Sequence, residues 1–211
     1  MFEIDLGASG SDINTFLQWS ARGTQDGAVR AKQFYTRDGA AKDEFEAAQT
    51  NGFIIDLDSL KIGWQKSDGM VGVAPEWKWN ASPSQMIPSP GEDWKKGMSV
   101  RCAIGGGQTA TWEQSGAAVW QSLTGIAPAL SKRPDPNKLP LVRMKEAQTL
   151  WFKRGSTVVP VLEVVQWVDR PDCLKEGVAA GIALQPTPVQ QPAPVQQAAA
   201  APGVVLDDME F

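Results

Sequence analysis

The chain has 211 residues, of which 42% are apolar, nine are Trp, two are Cys and none is His, and its formal net charge is −4. That much apolar content supports one folded domain, or one domain with a tail, and excludes disorder throughout. The absence of imidazole excludes Ser-His-Asp and Cys-His hydrolysis, and with only Cys102 and Cys173 available a zinc site is disfavoured as well.

In chain order the expected elements are mostly short strands. Asp-Gly pairs at 26, 38 and 68 are turn signals. GFIIDLDSLKIGWQ (52–65) carries a buried-strand core, Phe53-Ile54-Ile55, and then partial alternation. MVGVAPEWKWN (70–80) alternates, with Val71, Val73, Trp77 and Trp79 facing alike. SPSQMIPSPGEDWKKG (82–97) holds three prolines and reads as a loop, followed by a strand, MSVRCAIG (98–105). The glycines after Ile104 lack a following GK[ST] and read as a flexible turn, not a phosphate loop. TWEQSGAAVWQSL (111–123) opens with a capping-box pattern at Thr111 and Gln114 and predicts a helix. Trp112, Gly116, Val119, Trp120 and Leu123 would share its apolar face, with Thr124-Gly125 as the stop.

Residues 134–171 predict a long hairpin, with limbs Leu141–Arg154 and Thr157–Val168 around a Gly155-Ser156 turn. Pro160 within the second limb marks an edge strand or a bulge. After Gly181 the composition collapses to Pro, Gln, Ala and Val, which cannot offset the entropy of ordering. The expected organisation is a β-rich domain over 1–184, a disordered linker over 185–203 and an acidic tip over 204–211. With about six strands and one or two helices, the domain suits an OB-fold-like Greek-key barrel, a fold that places oligonucleotides on its strand face. A sandwich fits the same pattern.

Charge is distributed unevenly. Residues 1–60 carry ten acids against five bases, whereas 131–155 carry seven bases against two acids. This pattern permits a local basic strip for nucleic acid, not a basic surface throughout. On the predicted hairpin Arg143 and Lys145 share a face, Trp151 and Lys153 share one further on, and Phe152 and Arg154 take the other. Cations that track phosphates and rings that stack on bases are what a single strand requires. A half-buried strand with a solvated basic face gives the same spacing. Trp77, Lys78 and Trp79 form a second candidate group, and Trp94, Lys95 and Lys96 a third. A different chemistry is also spelled in the chain: Asp56, then Glu76 and Lys78, resembles the D…ExK arrangement of restriction-endonuclease-like enzymes. There Asp and Glu hold a divalent ion and Lys positions the attacking water.

The end of the sequence, Asp207-Asp208-Met209-Glu210-Phe211 after a Pro/Gln/Ala tether, is similar to that of bacterial single-stranded-DNA-binding proteins and of the short ones of lytic podophages. The likeness covers the last 27 residues in style. Three acids, and Met-Glu in place of Pro before Phe, set it nearer the phage type. The resemblance implies a non-enzymatic protein that coats single strands during phage DNA replication or recombination. Asp207, Asp208, Glu210 and Phe211 would then dock replication or recombination proteins: Phe in an apolar pocket and carboxylates on Arg or Lys. A virion or scaffold β-domain with a docking tail is a third reading. The expected setting is the cytoplasm, that of the host for a phage protein, because no leader or run of about 18 apolar residues is present. No cofactor, metal or membrane partner is expected, and a homodimer is allowed.

Overall fold

The computed structural model describes residues 15–67, 73–153 and 155–175. The linker 185–203 and Asp207, Asp208, Glu210 and Phe211 lie outside the described residues, as does Arg154. The elements are β1 (Phe16–Ser20), β2 (Gln33–Asp38), β3 (Ala41–Glu44), α1 (Ala47–Thr50), β4 (Phe53–Ile55), a 3-10 turn (Leu57–Ser59), β5 (Lys61–Lys66) and β6 (Glu76–Trp79). They continue with β7 (Lys95–Gly105), β8 (Gln108–Ser115), α2 (Ala117–Leu130), β9 (Lys138–Phe152), β10 (Gly155–Asp169) and α3 (Asp172–Lys175). The fold is mostly β, as expected, and the sheet is a strongly curled half-barrel. No helix among the described residues is long and apolar enough to cross a membrane.

The sheet runs β10-β9-β4-β7-β8-β1-β2-β3 and forks at β7, where β5 pairs end-on to β4 and carries β6 outside it. All ladders are antiparallel except β1 with β8. Local signals account for several joints. Asp38 pairs with Ala41 around a two-residue turn in which Gly39 has φ +56°. The glycines after Ile104 close the β7–β8 hairpin: Gly105 pairs with Gln108, and Gly106 and Gly107 have φ of +58° and +75°. Two positive φ values are what a type I′ turn needs.

Closure of the half-barrel rests on side chains. β10 is an edge strand, in keeping with Pro160, and its open side presents the carbonyls of Ser156, Val158 and Pro160 at alternate positions. Trp19 Nε1 donates to Val158 O at 3.0 Å, Ser122 Oγ to Pro160 O at 2.8 Å and Arg22 Nη2 to Ser156 O at 3.4 Å. Thus β1 reaches β10 across the hollow although four strands separate them in the sheet. α2 lies in that hollow with Val119, Leu123 and Ile126 buried against β7, β8 and β10. Beneath it Phe34, Phe53 and Trp112 meet edge-on at centroid distances of 5.4–6.0 Å. Edge-to-face packing of this kind adds roughly 0.5–1.5 kcal/mol per pair beyond area burial.

The expected helix over 111–123 is corrected. Thr111 to Gln114 belong to β8, where Ala110 and Trp112 alternate inward with period two. Gln114 caps no helix; its Oε1 accepts from Trp19 N and its Nε2 donates to Trp19 O, both at 2.9 Å, extending the parallel β1–β8 seam by one side chain. Gly116, with φ +106°, ends the strand and opens α2. The helix then passes through Thr124-Gly125 and Pro128 to Leu130. A proline in the last turn forfeits one intrahelical bond without breaking the packed face.

Candidate nucleic-acid interface

The register of β6, β5 and β7 builds a row that spacing alone does not reveal. Lys78 stands opposite Trp64, and Trp64 opposite Lys96, so the three share one face. It is the inner face, because Ile62 and Met98, two residues along, pair with each other over the core. Trp94 approaches from the loop before β7, and Lys78 Nζ lies 4.7 Å from its ring centroid. At the other end Lys96 Nζ lies 5.8 Å from the Trp64 ring and 5.3 Å from that of Trp120 on α2. The order across the face is Trp94, Lys78, Trp64, Lys96, Trp120. Both lysines are exposed while the three rings are half-buried, and Trp64 is anchored through Nε1 to Ile87 O at 2.9 Å. Cations this close to ring faces are held by the ring quadrupole and need no carboxylate partner.

β6 splits the second candidate group. Lys78 looks inward, while Trp77 and Trp79 stack on each other on the outer face, 4.2 Å apart and 9° from parallel. Their seat is glycine. A Cβ on Gly97 would stand 2.8 Å from the Trp77 ring, and one on Gly63 would stand 2.9 Å from the Trp79 Cα. Trp77 Nε1 is buried without a hydrogen-bond partner among the described residues.

On the hairpin, several of the bases between 131 and 155 are already paired. Arg133 binds Asp58 at 2.8 Å, Lys138 binds Asp169 at 2.8 Å, and Arg143 binds Glu163 at 2.6 Å. Lys145 is the extra residue of a bulge, since Met144 pairs with Leu162 and Glu146 with Val161. A bulge shifts the phase of the strand beyond it, so Trp151 does not continue the face of Arg143. Trp151 is 80% exposed near the hairpin tip, beside exposed Phe152 and Lys153. The turn falls between Phe152 and Gly155, ahead of the expected Gly155-Ser156.

Asp56, Glu76 and Lys78 are not brought together. Asp56 follows β4 and is 1% exposed; it accepts from Asp58 N and pairs with Arg170 Nη1 at 2.8 Å. Glu76 and Lys78 sit on β6, separated from it by the 3-10 turn and β5. Among the described residues no group of three metal-ligating side chains forms. Arg170 also binds Asp58, so one arginine ties the end of β10 to both carboxylates.

The Arg133 guanidinium, with Arg170 adding to it, holds the Asp58 carboxyl below its ordinary value. Asp26 beside Lys42 and Glu44 beside Arg30 are lowered in the same way. A folded-state pKa that is depressed contributes stability present above the unfolded value, about 3.9 for Asp, and lost as pH falls through the folded one. The urea midpoint is therefore expected to hold from neutrality to about pH 4 and to fall below it. Arg133→Gln flattens part of that fall, and a midpoint that is level down to pH 2 contradicts the account.

No family model, curated protein or solved structure matches the chain. Sequence spacing missed Trp64 and Trp120 as partners of the lysines. Trp64 carries a trace of a signal, because it keeps the alternation of Ile62 along β5. Trp120 is visible only through the packing of α2 on β7.

Proposed function

We propose that the chain is a non-enzymatic single-stranded-DNA-binding protein of phage DNA replication or recombination. The observation that carries this reading is the alternating row Trp94, Lys78, Trp64, Lys96, Trp120 on one sheet face. Two exposed ammonium groups sit among half-buried rings, so phosphates meet cations and bases meet ring faces. Stacking on such rings contributes roughly 1–3 kcal/mol per base and tolerates any sequence. Exposed Trp151 and Lys153 offer the same chemistry separately at the hairpin tip. In this reading Asp207, Asp208, Glu210 and Phe211 recruit replication or recombination proteins while the domain holds the strand.

Titration with oligo-dT tests it, because Trp64, Trp94 and Trp120 report stacking by fluorescence quenching. Micromolar protein at low salt quenches on adding oligo-dT. The logarithm of the association constant then falls against log salt with a slope of about −0.7 per phosphate neutralised. Absence of both quenching and a mobility shift overturns the reading.

A further inference from the structure

The face opposite the row holds a second site. Phe16 and Gln18 point outward from β1, between buried Leu17 and Trp19. Arg37 on β2 pairs directly with Phe16 and lays its guanidinium 5.4 Å from the Phe16 ring centroid. Glu113 points outward from β8, next to buried Trp112. With Gln65, Val73, Ala74 and Pro75 these residues line a groove of about 530 Å3. Its charges are unspent: neither Arg37 nor Glu113 forms an ion pair among the described residues. Arg37 Nε is buried, and among the described residues no acceptor meets it. A cation and a carboxylate that line one groove without closing on each other leave room for a ligand that satisfies both.

We propose that this groove binds a single guanine base. Guanine presents two acceptors, O6 and N7, on one edge and two adjacent donors, N1–H and N2–H2, on another, beside a purine face that stacks on a ring. Arg37 supplies donors for the acceptor edge, Glu113 accepts from the donor edge, and Phe16 is the stacking floor. Thymine's single N–H lies between two carbonyls that repel a carboxylate, while adenine and cytosine offer one amino group beside an acceptor. The protein thus holds any single strand on its inner face and reads guanine on its outer face. This deepens the single-strand reading above and rests on it for its biological setting.

The test uses the full chain and two oligonucleotides of about 16 nucleotides, a length that spans a typical single-strand site: oligo-dT, and the same strand with one central dG. The dG strand binds about tenfold more tightly, as a two-point base contact does. In Glu113→Gln that gain disappears while oligo-dT affinity stays at the wild-type value. Equal affinity of the two strands for the wild-type protein, or a gain that survives in Glu113→Gln, overturns the proposal. GMP and TMP alone, followed by saturation transfer from the wild-type protein, separate the two ideas. If oligo-dT fails to bind, the single-strand reading falls, and the groove still stands or falls on whether GMP gives a signal that TMP does not.

Discussion

Reversing both lysines of the row, Lys78→Glu with Lys96→Glu, lowers oligo-dT affinity at low salt by about a hundredfold. Each lysine contributes on the order of 1.4 kcal/mol as a charged partner of a phosphate, and the pair multiplies to that factor. The salt slope becomes shallower by about 1.4, the share of two phosphates on a single strand. Among the described residues neither lysine side chain forms a hydrogen bond or ion pair; their contacts are with the rings of Trp94, Trp64 and Trp120. Far-ultraviolet circular dichroism and the urea midpoint of the variant therefore stay close to wild type. The matched comparison is Lys145→Glu with Lys153→Glu on the hairpin, where both side chains are exposed and outside the row. A variant that folds and keeps both affinity and slope removes the row from the binding path. A larger loss in the hairpin variant moves the strand to the hairpin.

Gly52→Ala carries the largest expected effect on stability, a loss of roughly 3–5 kcal/mol, combining backbone strain with overpacking. Gly52 closes α1: its N–H donates to Ala47 O at 2.7 Å, and its φ of +79° is left-handed. The chain must then turn at once into β4, which wedges between β7 and β9. A Cβ here would run into the carbonyl of Val142 on β9, with the Val142 carbonyl carbon at 3.1 Å. Neither partner can retreat, because Val142 is fully buried and Phe53 pairs with it. Gly39→Ala separates the two contributions. Its φ of +56° is also left-handed, but nothing lies within 4 Å of the added atom, so it loses only about 1 kcal/mol. Equal midpoints for the two variants in urea unfolding would show that close approach to β9 contributes nothing.

Much of the architecture is legible because it is local. The β9–β10 hairpin joins neighbours in sequence, and Pro160, which lacks an N–H, signals an edge or a bulge and lies on edge strand β10. The turns at Asp38-Gly39 and after Gly105 follow from backbone angles that glycine alone adopts freely. Residues 111–123 misled because Trp112, Val119, Trp120 and Leu123 satisfy a helical period, whereas Ala110 and Trp112 also satisfy a period of two. The neighbouring chain decides between them: β7 pairs along β8 on one side, and β1 pairs with Thr111 and Trp112 on the other. Gly116 then divides strand from helix.

Composition and order in the chain were enough for a mostly-β domain with a capable apolar core, no imidazole chemistry, a long terminal hairpin and three places where Lys or Arg lies beside Trp. Which of those residues meet was settled only by folding. Trp64, Lys78, Lys96 and Trp120 are separated by between 14 and 24 residues along the chain; antiparallel register sets the first three opposite each other, and the packing of α2 on β7 brings Trp120 to Lys96. A bulge at Lys145 and ion pairs to Arg133, Lys138 and Arg143 likewise redirect side chains whose spacing had suggested a single face. Register, bulges and ion pairing depend on which distant segments come to lie side by side, and that depends on how α2, Trp19 and Ser122 draw the curled sheet closed.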